Sequence, residues 1–349
     1  MKYLYALLIF IPVTIAGKMM GFSDPMLFLC SSLAIIPLAG VMGKSTDDIA
    51  CFCGQKIGGL LNATFGNATE LIIAFVAMKE GLFDVVKASL AGSVIGNILL
   101  VLGMSMFAGG LKYKKQTFSR DSINIMSSML LLAVLGLSIP AIFTHTLPEN
   151  SLTAQYEGLN IIVAVLMLAV YICQFVFTFV THRALYEESV TSDEEDHGKV
   201  NLPRAIGLLV ASTVCIAVLS EIFVGTVEPM AESAGLSKTF VGIILVPIIG
   251  NAAEHSSAII MAVKNKMNAS IEIAVGSSLQ IILFVMPVLI LLSLFFTPMS
   301  IVFTPFELVS LVGAVLIANS VVSDGESNWL EGLQLIIVYV IIGAAFFFV

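Results

Sequence analysis

Residues 246–258 read VPIIGNAAEHSSA, and the core of that stretch, Gly250-Asn251-Ala252-Ala253-Glu254, repeats a phrase already present as Gly66-Asn67-Ala68-Thr69-Glu70. The offset is 184 residues. Without a gap it also carries Gly58 onto Gly242, Leu61 onto Leu245, Ala74 onto Ala258 and Gly92-Ser93 onto Gly276-Ser277. Each copy sets a carboxylate inside an apolar run, where ionised groups are rare and usually functional. A single polar residue in such a helix is often interhelical glue, and small-residue spacings are often packing motifs. Two copies at one offset, each followed by its own Gly-Ser pair, are too much for that explanation.

The surrounding composition is that of a membrane protein. The chain is 58% apolar and only 11% charged, with a mean hydropathy of +1.03, whereas soluble domains carry about 25% charged residues. A bilayer span needs about 20 apolar residues. Eleven such spans are predicted near 3–20, 25–43, 57–78, 85–110, 122–143, 158–181, 204–224, 239–263, 269–296, 306–322 and 330–349. The second and seventh are expected to continue as helix past the bilayer, through Thr46-Asp47 and past Glu221.

The resulting architecture is an all-α integral membrane protein with a leading helix in residues 1–24. A first five-helix repeat follows in 25–183, then an acidic loop in 184–203 and a second five-helix repeat in 204–349. Five is odd, so the second repeat must enter the membrane upside down, an inverted repeat of the kind secondary transporters use. The first segment lacks the small-residue cleavage site of a secretory signal peptide and reads as a retained helix.

Charge placement predicts the orientation. With the N-terminus inside, twelve of the sixteen Lys and Arg residues fall in cytoplasmic segments, among them Lys112, Lys114, Lys115, Arg120, Lys264 and Lys266. Only Lys18, Lys79, Lys87 and Lys238 fall outside. Positive residues favour the cytoplasmic side, so the N-terminus and the acidic loop are expected in the cytoplasm. That loop carries Glu187, Glu188, Asp193, Glu194, Glu195 and Asp196, much of the net charge of −8. It lacks the ligand order of an EF-hand, and like-charge runs are usually solvated. No basic stripe is present to neutralise phosphates, which argues against nucleic-acid binding. The five cysteines have no metal-site spacing and read as small membrane-helix residues.

The repeated motif has its own chemistry. Gly and Asn are poor in a helix interior, and Pro247 removes a hydrogen bond just before the second copy. Helices unwound at Gly66-Asn67 and Gly250-Asn251 would free backbone carbonyls, tolerable at membrane depth only inside protein or beside water. Carboxylates, carbonyls and amide oxygens are the ligands of a hard cation, six to eight of them for Ca²⁺. Glu70 and Glu254 would supply charge, with Asn67, Asn251 and the carbonyls completing the shell. Ser93 and Ser277 are expected nearby on adjoining broken helices. Histidine ordinarily titrates near neutral pH, so His255, beside Glu254, is a candidate for proton handling together with the two glutamates. Asp47 and Glu221 are candidates for a secondary ion path, as are Asn97 and Gln280 as neutral oxygen donors. Enzyme chemistry has little support, since Glu254-His255 lacks the second His of HExxH and no GxSxG turn occurs.

These motifs resemble those of the cation/proton exchanger family, the calcium/proton antiporters. The resemblance runs through KIGGLLNATFGNATELI, GSVIGN, GGLKYKKQ, GNAAEH, GSSLQI and SDGESNWLEG, and covers nearly the whole chain from Thr46 onward. It implies alternating binding of Ca²⁺ and protons by the two glutamates, with the second and seventh helices moving against a core of the others. It also implies export of cytoplasmic Ca²⁺, no cofactor, Ca²⁺ and H⁺ as substrates and the lipid bilayer as partner, with a homo-oligomer compatible. Lacking a long N-terminal extension of the plant vacuolar kind, the chain is expected in a prokaryotic cell (inner) membrane. The alternative is a sodium/calcium exchanger of the same superfamily. Such exchangers tend to carry extra acidic ligands where this chain has Gly96-Asn97 and Leu279-Gln280, which favours protons as the counter-ion. A channel is open on composition alone.

Overall fold

The computed structural model describes residues 4–53, 58, 61–62, 64–144, 152–182, 201–300 and 302–348. Apart from one two-stranded ladder, these residues form helices, as they must where no water is available to satisfy a bare backbone. The chain opens with a 3₁₀ stretch, Leu4–Ile9, leading into α1 (Phe10–Met20). Then come α2 (Asp24–Cys53), α3 (Ala68–Lys79), α4 (Phe83–Lys112), α5 (Arg120–Thr144) and α6 (Leu152–Val176, extended by a π turn at Phe177–Thr181). The second half holds α7 (Leu202–Ala234), α8 (Lys238–Gly250), α9 (Ala252–Val263), α10 (Met267–Ser293), α11 (Pro305–Val322) and α12 (Trp329–Phe348).

Among the described residues, eight helices are long and apolar enough to cross a membrane. Helices α8 and α9 pass the same test together but are bent by 63°, and Tyr5–Met20 is a shorter apolar helix. Parts of the third expected span, and residues 183–200 with the acidic run, lie outside the described residues. The long α2 and α7 bear out their expected extension. Local chemistry sets the helix ends. Gly21 and Gly235, at φ +74° and +66°, close α1 and α7 in the left-handed conformation that glycine adopts without a Cβ penalty. Asn201 caps α7 by accepting from Arg204 N at 3.2 Å, and Thr304 with Glu307 forms a reciprocal capping box on α11.

The sequence repeat is matched by helix bounds at the same offset. The offset of 184 residues carries Ala68–Lys79 onto Ala252–Val263 end for end. It also carries the π turn Gly96–Val101 of α4 onto residues 280–285, where α10 has its own π turn at Ile281–Val285. One expectation is corrected here. Gly92-Ser93 and Gly276-Ser277 do not lie on broken helices; α4 and α10 run through continuously. The strain is absorbed by the π turns, which insert a residue while keeping backbone hydrogen bonds inside the helix.

The described chain divides into two compact units. The first comprises residues 1–89, 192–254 and 346–349. At its centre α2 lies along α7, with Phe28 stacked on Phe223 at 5.0 Å and Thr213 Oγ1 3.6 Å from Met42 Sδ. The second unit comprises residues 90–191 and 255–345. There α5 packs against α10 and α11, and α6 against α10. Gly103 and Gly332 bring α4 and α12 into backbone contact: a Cβ at Gly103 would stand 2.9 Å from Gly332 O. Such close approach is how membrane helices gain packing energy without a hydrophobic driving force. Gly332→Val is therefore expected to lower the thermal midpoint in detergent by several degrees, measured against a Gly313→Val control, where a Cβ meets open space.

A small polar clasp closes one end of the second unit. Gln116–Thr117 pairs antiparallel with Glu326–Ser327, Gln116 opposite Ser327. Lys115 forms an ion pair with Glu326, Phe118 N donates to Gly325 O at 3.0 Å, and Arg120 Nη2 donates to Ser323 O at 3.2 Å. Gln116 Nε2 reaches Ala262 O and Asn265 Oδ1, both at 2.9 Å, and Ser119 N donates to Asn268 Oδ1 at 2.6 Å. Two segments singled out in the sequence, GGLKYKKQ and SDGESNWLEG, thus meet, together with the loop that follows α9.

Candidate ion-binding site

In the first unit the two copies of the motif adopt one local geometry. Asn67 precedes α3 with φ −105° and ψ 28°, and Asn251 precedes α9 with φ −93° and ψ 9°. Both sit in the sparsely populated bridge region between helix and strand, so each helix restarts after its Gly-Asn pair. Each glutamate is then the third residue of the new helix, in the first turn, where unpaired N–H groups and the helix dipole favour negative charge. The expected unwinding holds at both places, and at the second it produces the 63° bend. Not every carbonyl there is released: Pro247 O accepts from both Asn251 N at 2.9 Å and Asn251 Nδ2 at 3.0 Å. That pair of bonds pins the Asn251 side chain against the end of α8.

The structure adds a cross-repeat contact invisible in the sequence. Residues 246–250 at the end of α8 pack on α3, and a Cβ placed on Gly250 would stand 3.1 Å from Glu70 Oε1. The carboxylate of the first copy therefore lies over the backbone break of the second. Glu70, Asn67 and Asn251 are buried, Glu254 is half-buried, and Gly66 is exposed. The boundary between the two units falls between Glu254 and half-buried His255.

In the second unit Ser93, Asn97 and Ser277 are buried, and Asn97 Nδ2 donates to Ser277 Oγ at 3.0 Å. This bond joins the first residues of one π turn to the residues just before the other, with half-buried Gln280 between Ser277 and its π turn. Asp47 and Glu221 are exposed on α2 and α7, and Asp47 is hydrogen-bonded by the Asn62 side chain. Sequence reading passed over Glu307, a buried carboxylate. Its signal was the Thr304-Pro305-Phe306-Glu307 capping pattern, and its role is structural.

A multi-pass membrane protein with a duplicated, helix-breaking Gly-Asn-Ala-(Thr/Ala)-Glu element defines a class of cation exchanger. The chain belongs to the sodium/calcium exchanger protein family, which matches residues 24–180 and 204–348. Within that family the cation/proton-exchanger resemblance holds. The chain is 45% identical over 359 residues to the Ca(2+)/H(+) antiporter of Aphanothece halophytica, covering 99% of this chain and 96% of that one. It is also 45% identical over 341 residues to the Ca(2+)/H(+) antiporter ChaA of Bacillus subtilis (strain 168), covering 97% and 96%. The solved structure of native YfkE superposes with a TM-score of 0.85 at 42% identity, covering 99% of this chain and all of that one.

Proposed function

We propose that this protein is a Ca²⁺/H⁺ antiporter that exports cytoplasmic Ca²⁺ by alternating access, from a prokaryotic cell membrane, and is not an enzyme. The observation that carries this reading is the pair of glutamates, each on the first turn of a restarted helix, with Glu70 lying over Gly250 of the opposite repeat. Names borne by relatives that align along nearly the whole chain support the same substrates.

In this reading Glu70 and Glu254 bind either one Ca²⁺ or protons. Asn67, Asn251 and the Gly66 and Gly250 carbonyls contribute oxygen ligands. His255 assists proton transfer, while Asp47 and Glu221 in the first unit, and separately Asn97 and Gln280 in the second, are secondary ion-path residues. Ca²⁺ is substrate here, and no resident cofactor is required.

The architecture proposed is eleven spans: the eight long helices, the bent α8–α9 pair, the leading helix and the third expected span. Parity then inverts the second repeat. The clasp supports this count, because the loops after α4, α9 and α11, all expected in the cytoplasm from charge placement, are bonded to one another. Protons rather than Na⁺ as counter-ion are supported by the neutral Asn97 and Gln280 and by the Asn97–Ser277 bond.

Two protons moving down one pH unit release about 2.7 kcal/mol, which sustains roughly a hundredfold Ca²⁺ gradient. An imposed pH gradient should therefore drive ⁴⁵Ca²⁺ into proteoliposomes, and a Na⁺ gradient of the same size should not. Flux that follows Na⁺ and ignores pH would replace this reading with sodium/calcium exchange.

A further inference from the structure

We propose that the seam that α4 and α5 form along α10 holds a file of internal water that carries the exchanged proton between the clasp and the depth of Asn97 and Ser277. The inference rests on the proton-exchange reading and extends it to a path.

The register of the seam follows from three contacts within the second unit. Asn97 is bonded to Ser277, while at the other end Ser119, just past α4, is bonded to Asn268 at the start of α10. Helices α4 and α10 are therefore antiparallel, and counting eight residues along each from the Asn97–Ser277 bond brings Ser105 level with residue 269, next to Ser270. A Cβ on Gly276 would stand 3.6 Å from Met126 Cε, so α5 runs parallel to α10 and Ser122 falls near the same level. Ser270 and Ser277 are seven residues apart, two helical turns on one face. Asn97 and Ser105 are eight apart, and the wider π turn at Gly96–Val101 returns them to one face as well.

All three hydroxyls at that level are deeply buried: Ser105 and Ser270 are 0% exposed and Ser122 is 2% exposed. None of the three has a hydrogen-bond partner among the described residues. The same holds for Gln116 Oε1 and Ser327 Oγ in the clasp above them. Buried hydroxyls are almost always satisfied, and leaving one unmade costs roughly 1–3 kcal/mol. Three unmatched hydroxyls near one depth, on α10 and on the two helices that pack against it, with two more polar atoms toward the loops, supply the two to four polar partners that a bound water needs. A serine hydroxyl both donates and accepts. A proton entering the file forms one O–H bond as the next breaks, so a proton leaves at the far end and reorientation of the hydroxyls and waters resets the chain.

The test uses the full-length protein in proteoliposomes with the double variant Ser105→Ala, Ser270→Ala and its partner Ser105→Thr, Ser270→Thr. The alanine pair should slow proton-driven Ca²⁺ exchange about tenfold or more, raise its solvent deuterium isotope effect and leave equilibrium Ca²⁺ binding within twofold. The threonine pair, which keeps both hydroxyls, should restore the rate. Radiolytic hydroxyl labelling should oxidise Met126, beside the seam and 6% exposed, several-fold faster than Met286, 2% exposed in α10, and the alanine pair should reduce the difference. Wild-type exchange by the alanine pair would overturn the seam, as would Ca²⁺ binding lost in step with transport, or equal labelling of the two methionines. Wild-type protein whose Ca²⁺ flux ignores pH would instead overturn the proton-exchange reading on which the seam rests.

Discussion

Glu70→Gln and Glu254→Gln are each expected to abolish proton-driven Ca²⁺ transport in a protein that still folds. Each substitution removes a ligand charge and a titrating proton site together. Two carboxylates with one Ca²⁺ sum to zero charge, and so do two protonated carboxyls, whereas the empty site carries about −2. On an insertion scale each unpaired charge near the midplane costs roughly 2.5–3.5 kcal/mol. The empty site is thus disfavoured by about 5–7 kcal/mol, a suppression of about 10⁴-fold at 1.36 kcal/mol per decade. In the proposed two-carboxylate mechanism that penalty would make exchange obligatory, and a single glutamine would break the balance for both loads. His255→Ala keeps both carboxylates and should weaken transport without eliminating it. The measurement is ⁴⁵Ca²⁺ flux under a fixed pH gradient, with size-exclusion profiles to establish folding. Wild-type rates in either glutamine variant would sink the two-carboxylate mechanism.

Gly250→Ala is expected to lower Ca²⁺ affinity and exchange about tenfold or more, although it adds a single methyl group. The new Cβ would stand 3.1 Å from Glu70 Oε1, inside ordinary carbon–oxygen contact, so the carboxylate must move away from the backbone break. Misplacement of a reacting group by about 1 Å can cost up to 10²-fold. Gly276→Ala is the matched control in the other repeated motif, because its Cβ would meet only Met126 Cε at an ordinary 3.6 Å. Titration with ⁴⁵Ca²⁺ at fixed pH separates the two. Equal affinities for the two alanine variants would show that the approach of Glu70 to Gly250 has no role in binding.

The sequence by itself determined the class of fold and the two places where a Gly-Asn pair breaks a helix. Runs of apolar residues long enough for a bilayer can only be helices, since backbone groups have no other partner there. Eight of the eleven spans read from hydropathy lie on long apolar helices among the described residues, from Asp24–Cys53 to Trp329–Phe348, and a ninth on the bent pair Lys238–Gly250 and Ala252–Val263. The repeat at 184 residues was visible because identical backbone breaks demand identical residues, Gly-Asn twice, and because a carboxylate in an apolar run stands out by its desolvation cost alone. Helix ends followed from local rules as well, as with Gly21, Gly235 and the capping box at Thr304.

Tertiary structure alone decided the rest, because it depends on which surfaces meet. The Gly-Ser pairs read as helix breaks, yet π turns accommodate them, since neighbouring helices fix the path of α4 and α10 and one extra residue per turn meets it without losing hydrogen bonds. The bond from Asn97 to Ser277 joins residues 180 apart. The clasp of Gln116 on Ala262 and the seating of Glu70 over Gly250 likewise join residues far apart in the chain. Serines such as Ser105 and Ser270 look like ordinary helix fillers in the sequence, where nothing distinguishes a hydroxyl bonded to its own helix from one left unmatched in a seam. Local propensity and hydropathy act over a few residues and are written along the chain, whereas side-chain partnership is set by packing register, which appears only once the helices are assembled.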